Sequence, residues 1–303
     1  VKPLFEYPLV VVLGKGGVGR TTVAAALGIA GSDRGVSTCV AELGERAVAE
    51  ALQLDGRSFA FRDTPWGPVT WSLTVPECLD DFGKRKLHLP FVARGLLQNR
   101  AVSLFVDAVP GLHDLLLLGK LENLLREPKA GDPRFDTLIL DAPATGHGLT
   151  LLQAPRAMTD IARSGPFHDL AARIGDLTDD PRSTCLVLVT LPEELPVSET
   201  IELAHAIAAQ GQRVHTIVVN RTDPFDLPDP PGLLLVREVL ATLPGAAALE
   251  ELVEARQARS VRQHDAVRQL AEALPGTRIV TAPRVSPVER ARKLAAALVG
   301  VVE

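Results

Sequence analysis

The run Gly14-Lys15-Gly16-Gly17-Val18-Gly19-Arg20-Thr21-Thr22 packs four glycines, two cations and two hydroxyls into one stretch, the composition of a loop that wraps phosphate. Glycines let backbone N–H groups curl around phosphoryl oxygens, and a helix that starts at once adds its free donors and dipole. Matched to the pattern G-x-x-x-x-G-K-[ST], residues Gly14, Gly16, Gly17, Val18, Gly19, Arg20, Thr21 and Thr22 cradle the phosphates, and Thr21 takes the place of a Mg²⁺ ligand. Two residues depart from an ordinary loop. Lys15 is a second cation, early in the run, and Arg20 stands where the pattern demands lysine. A planar five-donor fork is bulkier than the ammonium point charge that fits between β- and γ-phosphates, so the swap alters what the loop delivers there.

Two acids complete the constellation. Asp141 ends the apolar stretch Thr137–Leu140, and an acid at a strand's C-terminal end beside the loop strand holds Mg²⁺ through water. Glu42 ends another such stretch and reads two ways, as a carboxylate that orients a water or as an ordinary strand-end acid.

These residues need a sheet to hold them. Apolar runs without strict alternation predict strands buried on both faces at Leu9–Leu13, Thr38–Ala41, Val69–Thr74, Thr137–Leu140, Cys185–Thr190, Val214–Val219 and Thr277–Thr281. Helical patterns fall near Thr22–Ala30, Arg156–Ile174, Ser198–Gln210, Gly232–Leu243, Glu250–Leu274 and Pro287–Val299. The βα rhythm gives an α/β fold, a doubly wound, mostly parallel P-loop NTPase sheet. One segment breaks that rhythm. Residues 76–127 show no strand pattern, and Pro90 and Pro110 punctuate short helices, so a helical insertion subdomain is expected within a single domain spanning 1–303.

Bulk properties exclude several classes. A net charge of -5 gives no electrostatic footprint for nucleic acid or an anionic membrane surface. Cys39, Cys78 and Cys185 are widely separated, without a CxxC pair or a disulfide framework, so a cytoplasmic setting is expected and the thiols read as core residues. The histidines show no metal-ligand spacing, and His147 reads either as a switch-loop residue or as a simple hydrogen-bonding one. No apolar run approaches the roughly 20 residues of a membrane span, and the first residues lack a secretory pattern, so no integral membrane segment is expected.

The GKGGVG form resembles the deviant Walker A loop of the ArsA-like ATPases, the family of arsenical-pump and tail-anchored-protein targeting ATPases. The stretch from Asp141 to Leu152, DAPATGHGLTLL, is similar to that family's switch II, including a Thr-Gly-His continuation that related positioning ATPases and iron proteins lack. Thr190-Leu191-Pro192-Glu193 with Glu199-Thr200, Asn220, and Ala282-Pro283-Arg284 match further family segments. The resemblance spans essentially the whole chain.

It implies the cofactors ATP and Mg²⁺ and an ATPase that works as a homodimer or as a heterodimer with a related ATPase. Lys15 would reach across the dimer to the partner's nucleotide, Thr21 and Asp141 would organise the metal, and Asn220 would read adenine with Pro283 and Arg284 covering its other side. Glu42 falls where the family carries a water-positioning acid. Lys15, Glu42 and Arg20 are therefore the catalytic candidates. Three functions follow: an ATPase driving a client or partner, a slow or inactive regulatory or scaffold subunit in which Arg20 replaces the loop lysine, and a targeting factor for hydrophobic client segments or a membrane partner. The missing thiolate cluster argues against arsenite as a ligand.

Overall fold

The computed structural model describes residues 2–43, 47–55, 60–86, 106, 108–109, 111–126, 134–142, 147–223, 230–240, 242, 246–285 and 290–298. Its strands are β1 Leu9–Gly14, β2 Thr38–Leu43, β3 Arg62–Asp63, β4 Val69–Leu73, β5 Thr137–Asp141, β6 Thr184–Thr190, β7 Val214–Thr222 and β8 Arg278–Pro283. They form an 8-stranded sheet in the order β3-β4-β2-β5-β1-β6-β7-β8. Every pairing is parallel except β3 with β4, a short edge that protects the sheet from further pairing.

All seven expected strands form, most of them slightly extended at their ends. The unbroken apolar runs have a direct physical cause. Leu9, Val11, Leu13, Leu138, Leu140, Leu186 and Leu188 face one apolar cluster, while Val10, Val12, Val40, Ile139, Val187 and Val189 face another on the opposite side. With helices on both faces, a strand has no solvent side to mark with polar residues.

The helices are α1 Arg20–Ser32, α2 Ala47–Ala51, α3 Val75–Lys86, α4 Leu112–Arg126, α5 His147–Ile161, α6 Pro166–Asp179, α7 Glu194–Ala208, α8 Pro230–Leu240, α9 Ala246–Ala273 and α10 Arg290–Ala297. One expectation is corrected. The single helix expected over Arg156–Ile174 is two, because Gly165 turns left-handed at φ 97° and Pro166 opens a new helix with its φ preset. Pro155 lies inside α5, where it costs a backbone hydrogen bond yet packs beside Gly175 of α6.

The segment read as an insertion is helical at its described ends, α3 and α4. Its centre, with Pro90 and Pro110, lies outside the described residues. Leu115, Leu116, Leu117 and Leu118 of α4 are buried in the same cluster as the sheet, and α4 packs on α3, α5 and α6. These leucines are core. Among the described residues no helix is long and apolar enough to cross a membrane.

In a doubly wound sheet, ligands sit outside the strand C-termini where the order reverses. Here that point lies at β1, whose neighbours β5 and β6 carry the chain to opposite sides. Parallel register brings Glu42 beside Asp141 and also beside Ser72, while Gly14 pairs with Val189.

Candidate nucleotide site

The loop from β1 into α1 is built around contacts that exclude side chains. A Cβ on Gly14 would lie 2.5 Å from the Val189 carbonyl oxygen, and Gly19, left-handed at φ 90°, would place one 2.3 Å from Asn220 Nδ2. Val18 is buried, which pins the loop's tip to the cluster around α1. Asn220 holds it from the other side, donating from Nδ2 to the Val18 carbonyl at 2.8 Å, while its Oδ1 accepts from the Arg221 N–H at 2.9 Å.

Arg20 is held by partners within its own chain. Its Nε donates to Asp141 Oδ1 at 2.9 Å and its Nη1 to the Gly14 carbonyl at 3.0 Å. Thr21 Oγ1 donates to Asp141 Oδ2 at 2.7 Å, so both carboxylate oxygens are engaged. Arg20 is 8% and Asp141 6% exposed, a buried pair across adjacent elements. The hydroxyl and carboxylate oxygens of Thr21 and Asp141 are hard donors on one spot, as Mg²⁺ requires, and few protein ligands suffice for an ion that keeps its waters. They fit the metal.

Glu42 is 2% exposed. Its Oε1 accepts from Ser72 Oγ at 2.6 Å and its Oε2 from the Val48 N–H at 2.8 Å, tying β2 to β4 and to the start of α2. Burial pushes its carboxyl above the ordinary value of 4.5; those two bonds pull it down, and the charge of Asp141 pushes it up again.

Lys15, 54% exposed, pairs with Glu199 of α7 at 2.9 Å in its own chain. The pair closes one side of a cavity of about 300 Å³ that also meets Gly14 and Gly148. Another cavity, about 280 Å³, brings together Gly19, Thr22, Asn220, Pro283 and Arg284, residues drawn from the C-terminal parts of β7 and β8, the loop and the first turn of α1. The expected base-binding residues are thus one wall beside the phosphate loop. Residues 143–146 and the side chain of His147 lie outside what is described.

A model of the anion-transporting ATPase family matches residues 92–165. ATPase BagA of Mycobacterium tuberculosis is 31% identical over 227 residues, 71% of this chain and 65% of its own length. The arsenical pump-driving ATPase of Escherichia coli is 27% identical over 235 residues, 72% of this chain and 35% of its own. ATPase GET3 of Eremothecium gossypii is 27% identical over 155 residues, 42% and 44% of the two chains. The chain belongs to the ArsA-like family. It spans about two thirds of the length of its mycobacterial relatives, and less of the others.

For an ArsA-like chain, the thiols are inert. Cys39, Cys78 and Cys185 are all buried; desolvation pushes Cys78 and Cys185 up to about 12 and Cys39 higher still, so none offers a thiolate near neutral pH. No cluster of three or more His, Cys, Asp or Glu forms a metal cage among the described residues.

Sequence reasoning did not find Ser72, Glu199 or Arg221 as site residues. Ser72 reaches Glu42 only through strand register, which a linear reading does not contain. Arg221 carried a weak signal, its place directly after Asn220.

The Glu42 carboxyl makes stability depend on pH in a definite direction. Between its ordinary value and its raised folded value the native state holds more protons than the unfolded one, so stability from this group falls as pH rises through that window. Denaturant melts from below pH 4.5 to neutrality should therefore show wild type losing ground against Glu42→Gln as pH rises. A difference that does not change with pH, or grows in wild type's favour, would refute the assignment.

Proposed function

We propose that this chain is a cytoplasmic, Mg²⁺-dependent ATPase of low turnover whose nucleotide state controls association with a second, related protomer and through it a client or partner protein. The observation that supports this best is the convergence of the Gly14–Thr22 loop, the Thr21–Asp141 contact and the base cavity at Asn220, Pro283 and Arg284 on one edge of the sheet. In this reading, backbone N–H groups from Gly16 to Thr21 bind the phosphates, and Thr21 and Asp141 hold the metal. Mg²⁺, when bound, neutralises charge on the β- and γ-phosphoryl oxygens. Glu42 orients the attacking water after giving up one of its two present donors, and residues 76–127 act as one helical subdomain that reports the nucleotide state.

The alternative, a nucleotide-binding regulatory subunit with negligible turnover, is favoured by the buried Arg20–Asp141 pair, since both groups are occupied with each other. The two readings share nucleotide binding and part on rate.

ADP at a hundred times its dissociation constant should stabilise the fold by about 2.7 kcal/mol. Dimerisation is read by light scattering with Mg²⁺ and a non-hydrolysable ATP analogue. Wild type should double in mass, Lys15→Ala should not, and Glu199→Gln, which frees Lys15 from its own chain, should dimerise at least as readily. No stabilisation by ADP would end the nucleotide reading, and equal dimerisation of the Lys15 variant would end the cross-protomer role.

A further inference from the structure

Next to the base cavity the same edge of the sheet carries a recess of about 260 Å³ that the proposed ATP site does not use. Its polar lining is Arg221, Arg259, Arg262, Arg284, Gln263 and Glu193, four guanidinium groups against one carboxylate. Asp223, behind it, neutralises part of this charge, lying 3.3 Å from Arg256 and 3.8 Å from Arg259. Among the described residues, Arg221, Arg262 and Arg284 have no ion-pair partner. The recess is therefore cationic on a chain whose net charge is -5, and its attraction for anions is local.

Two features mark the recess as built. Arg221 is one of only two described non-glycine residues with positive φ, at 58°, a backbone state that L side chains rarely adopt. The Asn220 side chain accepts from its N–H, and one guanidinium nitrogen of Arg221 lies 3.9 Å from where a Cβ on Gly19 would sit. Arg221 and Arg284 also line the base cavity, so the two spaces share a wall of charge. Gln263 uses its Oε1 to accept from the Asp223 N–H at 2.7 Å, which fixes the amide and leaves its NH₂ as a further donor.

We propose that this recess binds a phosphorylated small molecule distinct from the nucleotide held by the Gly14–Thr22 loop. Guanidinium forks match phosphoryl oxygens in pairs, and several around one cavity select a multiply charged phosphate over a single carboxylate. The volume lies just below the roughly 300–1,000 Å³ of sites for drug-sized ligands, which suits a diphosphate or a sugar phosphate. Through Arg221 and Arg284, occupancy alters the charge facing the base and so couples to nucleotide affinity. The anion site stands on its own geometry; the coupling rests on the nucleotide reading above.

The experiment is calorimetric titration of inorganic pyrophosphate into protein already saturated with ADP, whose own affinity is measured first. Wild type should bind one equivalent. Arg262→Gln should weaken this about tenfold and Arg259→Gln with Arg262→Gln further, the usual worth of a charged hydrogen bond, with ADP affinity nearly unchanged. Both positions are exposed on α9, so the fold survives their loss. No heat in the saturated wild type, or equal binding by the variants, overturns the proposal. If ADP itself does not bind, the ATPase reading falls, and the same titration of unliganded wild type against Arg262→Gln still decides the recess.

Discussion

Turnover of ATP should rise by about 10²–10³-fold in Arg20→Lys, with ADP affinity little changed. The factor is the usual cost of losing one preorganised transition-state contact, roughly 2.7–4 kcal/mol. In the wild type the guanidinium is spent twice, on Asp141 in a buried bond and on the Gly14 carbonyl in a part-buried one. Charge that develops on a transferring phosphoryl group is then met without a mobile cation from position 20. A lysine keeps one positive head on a flexible stem and cannot hold Asp141 and Gly14 in the same fork geometry. It releases the carboxylate for the metal and can follow the phosphate. Steady-state hydrolysis by purified wild type and variant gives the answer. A wild type that is already brisk and a lysine variant no faster would make Arg20 a working substitute, and the regulatory-subunit alternative would lose its support.

What the sequence made legible follows a physical boundary. Strands buried on both faces announce themselves as apolar runs, so the sheet could be read directly, and the glycines that close approach requires at Gly14 and Gly19 could be read with it. The split of α5 from α6 was also written in the chain, as Gly165 followed by Pro166, but the surrounding amphipathic pattern hid it. Partnerships across the fold were not written there. Arg20 and Asp141 are 121 residues apart, and Ser72 and Glu42 are 30 apart; the second pair meets through the parallel register of β2 and β4, the first because α1 starts beside the end of β5. Glu42 shows the consequence. Its place near the end of β2 suggests a free acid at the strand's end, whereas its two donors make it a brace between elements. The positions of Asn220 near the end of β7 and of Pro283 and Arg284 around the end of β8 were legible, but Arg221's left-handed turn was not.

Removal of the Asp141 carboxylate should be the most destabilising single change at this edge. Asp141→Ala should cost about 3–5 kcal/mol of folding stability, because it strands a buried guanidinium whose remaining partner is a single carbonyl. The loss should depend little on salt, since screening acts weakly on a pair this far from water. Apolar replacement of both partners tests the cause. Arg20→Met with Asp141→Leu removes the two charges together, and such exchanges are commonly neutral or stabilising, so the double variant should recover most of the stability lost by either single one. Denaturant unfolding of the four proteins supplies the cycle. A loss below about 1 kcal/mol for Asp141→Ala would mean that water already reaches the pair. Arg20 would then be free to swing onto a bound phosphate, and slow turnover would need another cause than this ion pair.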